Sequence, residues 1–332
     1  MQSSGAHREQ TGFPVPYCVS GESSNSSRTC SRICCTFKNL HIPSLTPVAR
    51  DDFHCRRDNR RGTEVKSLDV NSDPVAWAEF NTTPFVKALS HLGIVASFPP
   101  SKLMQRVSGL TKARDFATHG KDIFLALSAA SPKRLADFDN ILDFGVGAGR
   151  LARMFKGFRG HYTGADIDHE LLAWTTKKLP WVTPMATTPR AEFPGSAGTF
   201  DCVICVSVFT HMTEADSIFY LQSLHRVTKP GAILLLTVHG KRALRRAENE
   251  DRIFNMLAVP RTEIEEARRL IDIYGFKFIR QNGHLTSEAY DYGVSFTGES
   301  YIRSVWARYF AVEKVVSGGI HDFQDVILLR RA

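Results

Sequence analysis

Ile141-Leu142-Asp143-Phe144-Gly145-Val146-Gly147-Ala148-Gly149-Arg150 is the stretch on which the reading of this chain turns. Asn140 to Phe144 is apolar and of strand length, and Gly149 to Phe155 has helical spacing. Between them three glycines alternate with other residues. Glycine lets a backbone turn tightly and approach a ligand closely, and a helix opening behind the turn would present free N–H groups. Strand, glycine turn and helix in that order predict a ligand site at the carboxyl edge of a parallel sheet.

Outward from this stretch the chain alternates strands and helices. His161 to Asp166 reads as a second strand, and Asp168 is a good N-cap for a helix over Glu170 to Lys178. Trp181 to Ala186 and Phe200 to Val206 read as the third and fourth strands. Thr213-x-x-Asp216 forms a capping box ahead of a helix ending near Val227, and Lys229-Pro230-Gly231 turns the chain into a fifth strand, Ala232 to Val238. Such short alternating units predict a parallel sheet with right-handed crossovers. Thr297 is expected to cap a helix through Tyr309. Phe310 to Val316 and Asp325 to Arg330 are then joined by a loop too short for a crossover helix, so they should pair antiparallel. The predicted fold is α/β, a doubly wound, mostly parallel seven-stranded sheet with an antiparallel C-terminal hairpin.

Three further segments surround this core. Residues 1–72 show no sustained periodicity and few large apolar groups, and read as a disordered tail. Residues 73–135 form an N-terminal helical extension or cap: one helix from Val75 to Leu92, a second capped by Ser101, a third from Thr111 to Ala130. Residues 136–332 hold the main domain, with an insertion at about 241–296. The insertion carries a charged helical region, Lys241 to Leu270, and two candidate short strands, Gly275 to Arg280 and Ala289 to Phe296.

Asp166 follows the last glycine by seventeen residues and ends the second strand, where a carboxylate can accept hydrogen bonds from a ribose diol. Asp143 stands two residues before the first glycine. A carboxylate so close would repel a pyrophosphate and suit a ligand bearing an ammonium and a sulfonium. The glycine spacing, G-x-G-x-G, also departs from the dinucleotide pattern G-x-G-x-x-G.

Four segments in order resemble the motifs of class I, Rossmann-like S-adenosylmethionine-dependent methyltransferases. They are Ile141 to Arg150; Gly164-Ala165-Asp166-Ile167-Asp168; Phe200 to Ile204 with Ser207-Val208-Phe209-Thr210-His211-Met212; and Leu224 to Gly231. The resemblance covers about residues 100–332, and the closing antiparallel pair belongs to it. It implies S-adenosylmethionine as cofactor, held by Asp143, Phe144, Gly145, Gly147, Gly149, Asp166, Ile167, Thr187 and Ser207. Thr187 enters because the acidic residue that often follows the third strand is missing from Met185-Ala186-Thr187-Thr188. The implied activity is methyl transfer to oxygen or nitrogen of a small-molecule or glycan acceptor. The rival readings are an NAD(P)-dependent oxidoreductase and a non-catalytic protein that binds S-adenosylmethionine.

A hydroxyl acceptor would call for a base. His211, past the fourth strand, and His239, past the fifth, are the catalytic candidates, with His321 and Asp322 behind them. Tyr290, Tyr292 and Phe296 of the insertion are candidates for an acceptor pocket or for core packing. The composition fits a soluble protein: 43% hydrophobic, 23% charged, and no apolar run longer than Ala232 to Val238. No membrane partner and a cytoplasmic location are therefore expected. The charge of +8 is scattered, which argues against a nucleic-acid partner. Cys18, Cys30, Cys34, Cys35 and Cys55, with His41 and His54, match no zinc spacing, and no metal is expected. Cys202 and Cys205 should point to opposite faces of a buried strand.

Overall fold

The computed structural model describes residues 68–281 and 291–332. The cysteines before residue 56, His41, His54 and Tyr290 lie outside the described residues. Lys66–Ala332 forms one compact unit. No helix among the described residues is long and apolar enough to cross a membrane.

Alternation along the strands builds two apolar layers on one sheet. Ile141, Cys202, Ile204, Ile233 and Leu235 face one way, against Ile123, Phe124 and Leu127 of a long N-terminal helix. Leu142, Phe144, Val203, Cys205, Leu234 and Leu236 face the other way, against Tyr220, Leu221, Leu224 and Trp306. Cys202 and Cys205 are both buried free thiols on opposite faces.

The strands are β1 (Asn140–Phe144), β2 (His161–Asp166), β3 (Val182–Ala186), β4 (Phe200–Cys205), β5 (Thr228–His239), β6 (Phe276–Arg280), β7 (Gly293–Thr297), β8 (Ala311–Ile320) and β9 (Gln324–Arg330). β3, β2, β1, β4 and β5 are parallel neighbours in that order. β9 runs antiparallel to β5, from Ile233↔Arg330 to His239↔Gln324, and β8 pairs antiparallel with β9. These seven are the expected sheet. The two insertion strands enlarge it to nine: β6 and β7 form a hairpin, and β7 touches β5 through one parallel pair, His239↔Phe296. Ser295 N–H donates to the Thr210 carbonyl at 2.9 Å, so β7 sits just beyond the end of β4, over the ligand-binding edge.

The helices are α1 (Pro74–Phe80), α2 (Val86–His91), α3 (Ser101–Ser108), α4 (Ala113–Ala130), α5 (His169–Lys178), α6 (Glu214–Val227), α7 (Lys241–Asn249), α8 (Asp251–Leu257), α9 (Arg261–Ile273) and α10 (Glu299–Ser304). Asp168 and Thr213 cap α5 and α6 through their side chains, as expected.

Several boundaries differ from the sequence reading, most for a local reason. The helix expected over Val75 to Leu92 breaks into α1 and α2 around Pro84, which cannot continue a helix. Ser101 lies inside α3, behind Pro100, and makes no side-chain cap. The helix expected from Gly149 is only a 3₁₀ turn, Ala152–Phe155, because Gly145, Gly147 and Gly149 all take positive φ and delay any helical run. Thr297 caps nothing: it ends β7, paired with Phe276, and α10 starts after Gly298. The charged insertion breaks at Glu250 and again at Ala258 and Pro260. At the N-terminus, Val70 is buried and Asn71 donates to the Gly157 carbonyl, so the packed chain begins ahead of residue 73.

Candidate functional site

A cleft of about 1050 Å³ opens at the carboxyl ends of β1, β2 and β4. Its floor is the glycine turn. Gly145 takes φ +85°, and a Cβ there would meet Val208 at 2.4 Å. Gly147 takes φ +53°, and a Cβ would lie 3.2 Å from Val107 of α3. These two glycines keep the floor bare. Gly149 is different: it does not line the cleft, and a Cβ on it would meet Leu179 at 2.5 Å. It serves the packing of α5 behind the turn.

Asp166 closes one end of the cleft and is almost fully buried. Its Oδ2 accepts from the Gly147 N–H at 2.7 Å, and its Oδ1 from the Asp168 N–H at 2.8 Å. Each oxygen keeps a lone pair for a further donor. Burial raises this carboxyl above the ordinary range, against the backbone donors that favour its charge. Asp143 is also buried, and burial pushes its carboxyl up to about 7 against the Tyr162 hydroxyl, which donates to Oδ2 at 2.7 Å. Phe144 and Ile167 line the cleft with them. Ser207 does too, in a left-handed backbone conformation (φ +61°) rare for a residue with a side chain. Its N–H donates to Thr237 Oγ1 at 2.9 Å, and Gln324 Nε2 donates to its hydroxyl at 2.9 Å. Thr187 is buried beside the cleft without lining it; its N–H donates to the Asp166 carbonyl and its hydroxyl finds no partner among the described residues.

The structure separates the two histidines. His211 lines the cleft. Its Nδ1 lies 2.7 Å from the Gly293 carbonyl and its ring stacks on Tyr292, centroids 4.8 Å apart and planes at 11°. His239 does not line it. It is buried behind His211, against Phe296 and Phe323, with the two histidine centroids 6.3 Å apart. Burial, with His211 beside it, lowers its imidazole to about 3. His239 is therefore buried under the insertion, one layer behind the cleft wall. Phe296 is likewise core, and His321 and Asp322 sit in the β8–β9 loop away from the cleft.

Arg150, Arg106 and Arg190 also line the cleft and were not singled out in the sequence. Arg106 of α3 bridges to Asp168 and Glu170 across the mouth, at 3.4 and 2.8 Å. Arg190 ties Asp216 of α6 to Asp291 at the start of the β7 segment, at 2.6 and 3.2 Å. No local pattern announces such long-range pairs; only Arg150, adjoining the last glycine, had a positional signal.

Residues 141–231 match the family model described as a methyltransferase domain. Over that stretch the chain is similar to a methyltransferase domain. A curated relative from Bacillus subtilis (strain 168), named putative methyltransferase YqeM, is 33% identical over 111 residues, 32% of this chain and 44% of that protein. The chain thus spans less than half the length of that relative. Among solved structures, the PH0226 protein of Pyrococcus horikoshii OT3 is 14% identical with a TM-score of 0.46, over 64% of this chain and 91% of that one. An S-adenosylmethionine dependent methyltransferase from Mesorhizobium loti is 14% identical with a TM-score of 0.43, over 63% and 98%. Likeness at that level bears no weight on activity. The residues at this cleft fit S-adenosylmethionine, the cofactor that the sequence resemblance implies: the bare floor admits a ligand against the backbone, Asp166 keeps acceptor positions beside it, and a buried carboxyl stands ready for a cation.

Proposed function

We propose that this chain transfers the methyl group of S-adenosylmethionine to oxygen or nitrogen of a small-molecule or glycan acceptor. The observation that carries the reading is the Asp166 carboxylate, fixed by the Gly147 and Asp168 N–H groups beside a glycine turn. A carboxylate so held suits the two hydroxyls of a ribose. A pyrophosphate would meet two buried carboxyls at a turn that opens no α-helix, so the helix-terminus attraction of dinucleotide sites is missing. This counts against the oxidoreductase reading.

When bound, the cofactor supplies a methyl group already activated on a sulfonium. What falls to the protein is alignment, exclusion of water and the handling of one proton. Asp143 would receive the ammonium of the amino-acid end, and Asp166 the ribose. His211 is the base that suits a hydroxyl acceptor. A carbonyl can only accept, so His211 Nδ1 must donate to Gly293, and the neutral ring then carries its basic lone pair on Nε2. The β7 segment thereby sets the tautomer that a base requires. The cleft exceeds the size of a typical pocket for one drug-sized ligand, which leaves space for an acceptor beside a nucleoside.

Methyl-labelled S-adenosylmethionine incubated with pooled hydroxylated and amine-bearing small molecules and glycans should give labelled product. With a hydroxyl acceptor, His211→Gln should lower kcat by roughly 10²–10⁴-fold, the usual worth of a positioned base. Cofactor binding without label transfer from any pool would favour the non-catalytic reading instead.

A further inference from the structure

One buried residue of the insertion is left out of the mechanism above. The loop after β4 carries His211. At its start, Ser207 is tied to the sheet through Thr237 of β5 and Gln324 of β9. At its end the loop is tied to β7. Ser295 of that strand is fully buried. Its hydroxyl donates to the Phe209 carbonyl at 2.7 Å, and its N–H donates to the Thr210 carbonyl at 2.9 Å. Two positions earlier, the Gly293 carbonyl meets His211 Nδ1 at 2.7 Å. The Tyr292 carbonyl accepts from the Gln281 N–H beside β6, so the next carbonyl of the extended chain, that of Gly293, points the opposite way, towards the loop. Three successive loop residues, Phe209, Thr210 and His211, are thus each met by β7.

Of these three contacts only the first depends on the identity of a side chain. Any residue but proline at position 295 would supply the N–H, and any residue at position 293 the carbonyl. Reaching Phe209 takes a hydroxyl. The strand neighbours Val294 and Phe296 are buried apolar groups, and a polar side chain in such a place costs free energy unless it is bonded. The bond that Ser295 makes fixes the loop lengthwise against the strand. This bears directly on His211, because an N–H···O bond spans only about 2.7–3.2 Å. A loop that slid by about 1 Å would take His211 out of reach of Gly293. The ring could then carry its proton on Nε2, where a base needs its lone pair.

We propose that Ser295 is a positioning residue for His211: its hydroxyl sets the register of the β4 loop on β7 and so keeps the proton of the neutral ring on Nδ1. The inference rests on the reading of His211 as the base, and it gives the insertion a part in that step.

Histidine-selective nitrogen NMR of the full chain, at about pH 9 where imidazole is neutral, tests it without an acceptor. The His211 signals are identified by their loss in His211→Gln. The wild type should show the Nδ1–H tautomer; a dominant Nε2–H tautomer would overturn the assignment. Ser295→Ala should lower the ratio of Nδ1–H to Nε2–H by roughly 2- to 10-fold, the worth of one neutral hydrogen bond. Ser295→Thr, which restores the hydroxyl, should recover the wild-type ratio. If Ser295→Ala does not fold, Ser295→Cys, a weaker donor, should move the ratio the same way by less. Thr228→Val removes a buried hydroxyl bonded to the Leu224 carbonyl at 2.8 Å, at the far end of β5, and should leave the ratio unchanged. An unchanged ratio in the Ser295 variants, or an equal change in Thr228→Val, would overturn the proposal. Titration of the wild type with S-adenosylhomocysteine is read separately: absence of binding would overturn the methyltransferase reading and leave the tautomer result standing.

Discussion

Asp143 is where the residue scale gives its sharpest consequence. Its carboxyl stands at about 7 in the folded protein against 3.8 in a free chain, because burial disfavours the charge. A carboxyl with a raised folded value resists ionising as the pH rises. Its cost is absent below about pH 4, grows between 4 and 7, and is complete above 7. One unit is about 1.4 kcal/mol, so the cost at pH 8 is roughly 2–4 kcal/mol. Asp143→Asn removes the charge and keeps an oxygen to accept from Tyr162. It should therefore stabilise the protein at pH 8 and have little effect at pH 4, as read by denaturant midpoints at the two values. Equal shifts at both would show that the carboxyl is not strained by burial. The same variant should bind S-adenosylhomocysteine more weakly, since the ammonium loses its partner. A position that costs stability when ionised, yet faces the cleft, is what a ligand site is expected to contain.

The decisive element is the turn from β1 into the 3₁₀ segment. Gly145 and Gly147 face the ligand side, whereas Gly149 backs onto α5. Gly149→Ala should therefore destabilise the fold and leave the cofactor affinity of the folded fraction unchanged. A left-handed φ of +72° with a Cβ costs about 1–2 kcal/mol, and contact with the buried Leu179 adds to it. Thermal melts and titration of the same variant separate the two effects; a large loss of affinity with an unchanged melting temperature would return Gly149 to the ligand face. The sequence read Gly149 as a cofactor residue because an alternating glycine pattern says nothing about which way each missing side chain would have pointed. It read the central strands well, since β1, β4 and β5 carry short apolar runs beside Gly, Pro or Asp. It read the caps of α5 and α6 because they are local. It missed the break at Pro84, where apolar spacing on either side outweighed the proline, and the end of β7 at Thr297, where a ladder partner 21 positions away overrides a capping residue.

At the scale of the whole molecule, the insertion and the N-terminal extension converge on one sheet edge. α3 lies over the glycine turn through Val107, and the β6–β7 hairpin lies over the end of β4 and presents Tyr292 to His211. Arg106 and Arg190 tie these covers to the core on either side of the mouth. The two segments were legible as additions to the core, a helical cap and an insertion. The pairing of His211 with Gly293, the retreat of His239 into the core and the Ser295–Phe209 contact were not, since each joins residues far apart in sequence. The central claim is that this cleft takes an adenosyl amino acid and not a dinucleotide. Calorimetric titration of the wild-type chain with S-adenosylhomocysteine and with NAD, side by side, tests it most directly. Saturable binding of S-adenosylhomocysteine with no heat from NAD is the predicted result; saturable binding of NAD with none of S-adenosylhomocysteine would contradict it.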